Sequence, residues 1–192
     1  MTARWVVEEV GPARDLRITW QPISLLFKNR PAEDSPGFGP LTRSHGYLRV
    51  MEAAPEAAGN DAVWRLYWQM GARIHHDKEL EFDPADALRD AGLDASLAAA
   101  ANDERWDAEI ERRMSDGLAL VGEDVGTPIL AFADAEGDRV GIFGPVITRI
   151  PPTEQSLHLW DCVVGITTTP GFWELKKTRT ERPDPGERPR FD

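Results

Sequence analysis

Apolar residues in this chain recur first at helical and then at strand spacing, and the changes between the two periods mark out its elements. Trp5, Val6 and Val10 share a helical face, and Gly11-Pro12 stops that helix. Leu16, Ile18 and Trp20 then alternate with Arg17, Thr19 and Gln21, the pattern of a half-buried strand, and Pro22 falls at its end, where it costs no central ladder bond. Asn29 to Pro40 is dense in turn formers and predicts an irregular loop. A helical block follows over about 41–120. Within it Val63, Leu66, Tyr67, Met70 and Ile74 predict a helix that buries one stripe. Asp83-Pro84 opens the next helix and Gly92 closes it, Asp94 opens the alanine-rich Ser96–Ala101 piece, and Asp103 caps a longer helix. Trp106, Ile110, Met114 and Leu118 share one face of that helix, with Glu109 and Arg113 placed as an i,i+4 pair on the other.

The block ends at Val121-Gly122-Glu123-Asp124-Val125-Gly126-Thr127-Pro128, a turn-rich stretch that leads into the apolar strand Ile129–Phe132. An X-Pro bond at such a place is one of the few where a cis peptide is cheap, and Thr127-Pro128 is a candidate for one; a plain turn before an edge strand is the alternative. Asp134 to Arg139 reads as the turn of a hairpin whose second strand is Val140–Phe143. After Pro151-Pro152, Thr153 and Glu154 start a helix in which Leu157, Trp160 and Val164 form the stripe, and Gly165 ends it. Pro170 to Lys177 predicts one more short helix anchored by Phe172, Trp173 and Leu175. Residues 181–192, rich in Pro, Arg and Asp, predict a flexible tail.

The 192 residues suffice for one cored domain with an insertion, and 41% hydrophobic with 29% charged residues is the balance of a folded, water-soluble chain. No apolar run is long enough for a membrane span, and no signal-peptide pattern opens the chain, so a cytoplasmic location is expected. A net charge of −11 argues against nucleic acid as a main partner. A single cysteine, Cys162, removes an internal disulfide, a Cys-x-x-Cys pair and a cysteine-rich zinc site from consideration. Its apolar neighbours predict a small, buried, inert thiol. Glu123 and Asp124 read as residues that cap or solvate the turn, although an acidic side chain can also serve proton transfer.

Several segments taken in order carry a resemblance. Met70-Gly71-Ala72-Arg73-Ile74-His75, Val121 to Pro128, Phe143-Gly144-Pro145-Val146, Leu159-Trp160-Asp161 and Phe172 to Thr180 resemble the mycothiol-dependent nitroreductase family. These are cytoplasmic, DsbA-like thiol oxidoreductases that use mycothiol as their low-molecular-weight thiol, and the resemblance runs from Thr2 to about Arg182. It implies an α/β, thioredoxin-like fold, with residues 1–40 and 121–180 in the thioredoxin-like domain and 41–120 as an inserted helical domain. Proteins of this kind place a Cys-Pro-x-Cys pair at the start of the first helix, against the Thr-Pro turn. Here Thr2-Ala3-Arg4-Trp5 resembles the helix just downstream of that motif, so the first strand and the dithiol are absent from the sequence. Two accounts are open: an incomplete N-terminus, or a shortened, non-catalytic relative. The missing strand would lie between Leu16–Gln21 and Ile129–Phe132, and its loss would strand backbone groups on both, which favours the first.

The resemblance implies mycothiol as thiol cosubstrate and no metal, with a small-molecule or protein disulfide as the other partner. It implies four substrate-binding residues. Thr127 and Pro128 would present backbone to the reacting thiol. His75 matches a position facing the family's active site, with a helix-end histidine set against the carbonyl dipole as an equal alternative. Metal ligation by His75 is disfavoured, since adjacent helical residues diverge and no further cluster completes a site. Asn29 matches a polar position beside the active site, or is a turn-forming asparagine. No catalytic residue is assigned, because the dithiol is absent. Two other functions are carried along: a kappa-class glutathione transferase or hydroxychromene carboxylate isomerase, with a hydroxyl in place of the thiol, and a non-catalytic thiol- or peptide-binding module.

Overall fold

The N-terminal apolar triplet lies in a helix, but Gly11-Pro12 does not stop it: helical structure continues to Arg14. In the computed structural model, which describes residues 1–188, α1 (Thr2–Trp5) runs through a π-helical stretch, Val6–Val10, into α2 (Gly11–Arg14). The fold is mixed α/β and mostly helical. It divides into two units: Met1–Ile18 with Gly117–Gly186, and Thr19–Asp116 with Glu187 and Arg188 among the described residues.

In the first unit Trp5, Val6, Val10 and Trp160 make the core, with Leu16, Ile18, Leu130 and Phe132 packed against it. Trp160 meets Trp5 at 6.0 Å and the edge of Phe132 at 5.8 Å, the tilted geometries that aromatic quadrupoles favour. The hairpin forms as its pattern predicts. Strand β1 (Ile129–Ala133) pairs antiparallel with β2 (Arg139–Phe143), Ile129 opposite Phe143 and Ala133 opposite Arg139. Asp134 builds the turn, its carboxylate accepting from the N–H groups of Glu136 at 3.1 Å and Asp138 at 2.8 Å. Gly141 has no freedom to change: a Cβ there would lie 2.9 Å from Leu120 Cβ. The last helix of the chain, Thr153–Thr167, buries Ser156, Trp160 and Val163.

Two predicted elements in this part of the sequence do not form. Leu16–Gln21 joins no sheet, since the sheet of the described residues has two strands, β1 and β2. A strand exists only through ladder bonds to a neighbour, so alternation alone cannot make one. The alternating side chains are used for packing instead, Leu16 and Ile18 on the Trp5 cluster. Pro170–Lys177 forms no helix either. Gly171, at φ 80°, turns the chain away, and Trp173 and Leu175 stay 90% and 81% exposed, so no buried stripe exists to hold a helix. Residues 181–188 have no regular structure but are tied down, Asp184 N–H to Thr148 O at 2.7 Å; 189–192 of the expected tail lie outside the described residues.

The second unit is built from α3 (Leu25–Asn29), α4 (Phe38–Ala58), α5 (Asn60–Ala72) with a π-helical turn at Arg73–Asp77, α6 (Pro84–Asp90), two 3₁₀ pieces (Ala95–Asn102 and Glu104–Trp106) and α7 (Asp107–Val121), inside which the unit boundary falls. The expected loop at Asn29–Pro40 ends early, because α4 takes Pro40 into its first turn, where a missing N–H costs nothing. Asp83, Asp94 and Asp103 cap as their positions predict, accepting from the N–H groups of Ala85, Ser96 and Arg105. Tyr47, Leu66, Met70, Leu88, Trp106 and Ile110 are the large members of a core otherwise rich in alanine, which lets the helices approach closely. Tyr67, assigned to the buried stripe of α5, is instead 41% exposed. The Glu109–Arg113 pair gives way to Glu109–Arg112, and Arg113 turns inward to Glu52 at 2.5 and 2.8 Å.

Candidate functional site

Thr127 and Pro128 stand at the head of the hairpin, directly before β1, and the peptide bond between them is cis. The register places Pro128 opposite Gly144, whose N–H donates to Pro128 O at 2.8 Å. Gly144–Pro145 is a second cis bond at the same end, and Pro145 O accepts from Thr2 Oγ1 at 2.7 Å. The hairpin mouth is thus framed by two prolines and fastened to α1. Thr127 itself is exposed and takes no hydrogen bond among the described residues. The second proline, although visible as Gly-Pro in the sequence, was not among the expected site residues.

Asn29 and His75 belong to the helical unit, each at the end of a helix. Asn29 is the last residue of α3 and is exposed, its side chain without a partner among the described residues. What fixes α3 is buried. Ser24 caps it by accepting from Phe27 N–H at 3.2 Å, and the same hydroxyl meets His45 Nδ1 at 2.9 Å. His45 Nε2 lies 3.0 Å from Asp107 Oδ1, and Asp107 is gripped by Arg49 through two bonds of 2.6 Å. Burial works against the Asp107 carboxylate, but the bonds from Arg49 and His45 outweigh it and hold its pKa below the usual range. Serine, histidine and aspartate thus form a connected row. The serine is fully buried and its hydroxyl is occupied as a cap, so the row positions α3 and offers no nucleophile.

His75 lies in the π-helical turn that extends α5, a local widening often found at functional positions. The ring is on the exposed side, yet enough protein surrounds it that burial lowers its pKa, with Lys78 and His76 adding to the effect. The shift favours the neutral imidazole. Lys78, at φ 61°, closes the turn and donates to His75 O at 2.6 Å.

Cys162 corrects an expectation. It is exposed on the last helix, Sγ 3.8 Å from His158 Nε2, and not buried. The helix buries Trp160 and Val163, and a residue two positions from Trp160 points about 200° away from it, so apolar neighbours in sequence are not neighbours in space. Among the described residues no three His, Cys, Asp or Glu side chains gather to hold a metal ion, and no helix is long and apolar enough to cross a membrane. A cleft of about 490 Å³ in the helical unit is lined by Phe27, Arg43, His45, Arg49, Glu81 and Phe82 among others. Of its charged groups, Arg43 pairs with Glu81, and His45 and Arg49 share Asp107.

Comparison with known proteins adds the family. The chain is similar to the protein Rv2286c of Mycobacterium tuberculosis, described as uncharacterized, at 29% identity over 119 residues, which cover 60% of this chain and 49% of that protein. It thus spans about half the length of the curated relative it matches. The model of the Rv2466c-like family, described as mycothiol-dependent nitroreductase Rv2466c, matches residues 1–177, and the chain belongs to that family.

Proposed function

We propose that this chain is the body of a DsbA-like thiol–disulfide oxidoreductase that works with mycothiol in the cytoplasm. In this reading residues 1–40 and 121–180 are the thioredoxin-like domain, 41–120 the inserted helical domain and 181–192 a tail. The Thr127–Pro128 turn supplies the backbone against which a thiol or mixed disulfide rests, and the family resemblance makes Asn29 and His75 further substrate-binding residues. The observation that carries the reading is the family match over residues 1–177. The exposed, unbonded Thr127 at the hairpin mouth supports it.

Thiol–disulfide exchange forms one S–S bond as another breaks, with the departing sulfur leaving as a thiolate. An intramolecular dithiol cycle needs two cysteines, and this sequence has one, exposed on its last helix. The chain lacks that cycle, and in this reading it binds the thiol or its disulfide without turning it over. Amide-resolved NMR with oxidised mycothiol tests this. Shifts are expected at Gly126, Thr127 and Ile129, with no disulfide reduced in a coupled assay. Shifts that leave those amides untouched, or turnover that survives Cys162→Ser, would overturn the reading.

A further inference from the structure

The hairpin has an open edge. Asp134 N–H donates to Asp138 O at 2.8 Å and Gly144 N–H to Pro128 O at 2.8 Å, so in this register the pairs that exchange bonds are Leu130 with Ile142 and Phe132 with Val140. The N–H and C=O groups of Ile129, Ala131 and Ala133 therefore point away from β2. None of them takes a hydrogen bond among the described residues. Leu130 and Phe132 anchor one face of β1 on the Trp5 cluster, while Ala131 and Ala133 are exposed. No lysine, proline or bulge within Ile129–Ala133 guards this edge, and an unguarded edge is a template for a further strand.

The same unit carries a segment with the opposite need. Residues 172–180 run without helix, strand or turn, and none of 173–180 makes a hydrogen bond among the described residues. Trp173 and Leu175 alternate with Glu174 and Lys176 at strand period, and they are 90% and 81% exposed. Exposed apolar side chains of this size mark contact surfaces. Lys176, Lys177 and Arg179 stand against Glu174 alone, which makes the segment cationic in a chain of net charge −11. Glu136 and Asp138 are exposed on the hairpin turn, at the Ala133 end of the open edge.

We infer that two copies of this chain exchange this segment, residues 173–179 of each adding to the β1 edge of the other as a parallel strand. Strands advance equally per residue, so Trp173 beside Ile129 sets Leu175 beside Ala131 and brings Lys177 and Arg179 to the acidic turn. Charge fixes the direction: an antiparallel strand would carry the cations to the Thr127 end, away from Glu136 and Asp138. The small side chains of Ala131 and Ala133 leave room on their face for Trp173 and Leu175, and the backbone groups of edge and segment satisfy one another. Made once in each direction, the exchange closes a twofold dimer. It needs neither thiol nor turnover.

Sedimentation of the intact chain over a range of concentrations tests this, with amide hydrogen exchange as a second readout. A dimer of twice the 21.4 kDa chain mass is expected. The Ile129, Ala131 and Ala133 amides should exchange fast in dilute solution and slowly in the dimer, with Leu130 and Phe132 slow in both. The Trp173→Ser/Leu175→Ser variant should keep the parent's far-UV circular dichroism, since both side chains are exposed. It should weaken the dimer at least about tenfold, the loss of one well-buried apolar side chain. Glu136→Lys/Asp138→Lys should weaken the dimer as well, and added salt should do so in the parent. A chain that stays monomeric overturns the proposal, as does a Trp173→Ser/Leu175→Ser variant that dimerises like the parent. Outward amides already slow in the dilute monomer overturn it too, because the edge is then covered from within the chain.

Discussion

Replacing Arg113 with methionine removes the partner of a carboxylate that cannot easily reach water. Glu52 and Arg113 are 7% and 16% exposed at the side chain and meet at 2.5 and 2.8 Å, and Arg113 also donates to Trp20 O and Gln21 Oε1. Breaking a buried pair from one side costs about 3–5 kcal/mol, because the remaining charge stays desolvated. At a urea slope of about 2 kcal/mol per molar, the unfolding midpoint of Arg113→Met should fall by roughly 2 M at pH 7. The pH dependence gives the sign. Burial raises the Glu52 pKa above its ordinary 4.5 even with Arg113 present, and without Arg113 it must rise further. The folded state then binds a proton more readily than the unfolded one, so stability falls as pH rises from about 4.5 through the folded pKa, and part of the loss returns as pH is lowered. The double variant Glu52→Leu/Arg113→Met removes both charges and should sit close to the parent, or above it. A single-variant loss below about 1 kcal/mol, or one that does not shrink at lower pH, would show that water reaches this pair and refute the argument.

Three further outcomes are expected. Gly141→Ala should destabilise the hairpin unit by about 1–3 kcal/mol in thermal unfolding, since its new methyl would lie 2.9 Å from Leu120 Cβ and 3.3 Å from Leu130 O; a neutral result would mean that the end of α7 gives way. Ser24→Ala should cost about 1–3 kcal/mol, because it uncaps Phe27 N–H and leaves His45 Nδ1 without its partner in a buried place, and NMR of the Asn29 amide should show α3 loosened; unchanged melting would refute the positioning role. The His75 imidazole should titrate below its ordinary 6.5 by NMR, because burial disfavours its charged form. The unfolded chain then takes up the proton first, so His75 adds a loss of stability as pH falls through about 6.5; a measured value at or above that figure contradicts the described surroundings.

What could be read from sequence is what local physics decides. The caps at Asp83, Asp94 and Asp103 work because the accepting carboxylate and the donating N–H are two residues apart. The hairpin turn likewise needs only Asp134 and its own loop. Leu16–Gln21 went wrong because a strand requires a neighbour that no periodicity can supply, and Pro170–Lys177 because a short helix requires a surface to bury its anchors. Arg113 chose Glu52, 61 positions away, over Glu109 four positions away, since the distant carboxylate is the one that would otherwise be buried alone.

The same division runs through the candidate site. Thr127–Pro128 carries a local signal, a proline entering an apolar strand, whereas Gly144–Pro145 leaves the second strand and carries only the weaker turn signal of Gly-Pro. The row that sets α3, and with it Asn29, could not: Ser24 and His45 are 21 residues apart, His45 and Asp107 are 62 apart, and each looks alone like an ordinary polar residue on a helix or at its start. The cluster in which Trp20 lies against Trp64 and Tyr67, with centroids 5.3 and 6.2 Å away, falls between these cases. Of its two α5 members, Tyr67 alone falls in the predicted buried stripe, where tyrosine and leucine serve alike. The exposure of Tyr67 separates the two, and it depends on which side of α5 the Leu66 and Met70 core occupies. Hydrophobic period identifies a helix and its apolar residues, but the angle at which the helix meets its neighbours decides which of those residues hold the fold and which stay at the surface.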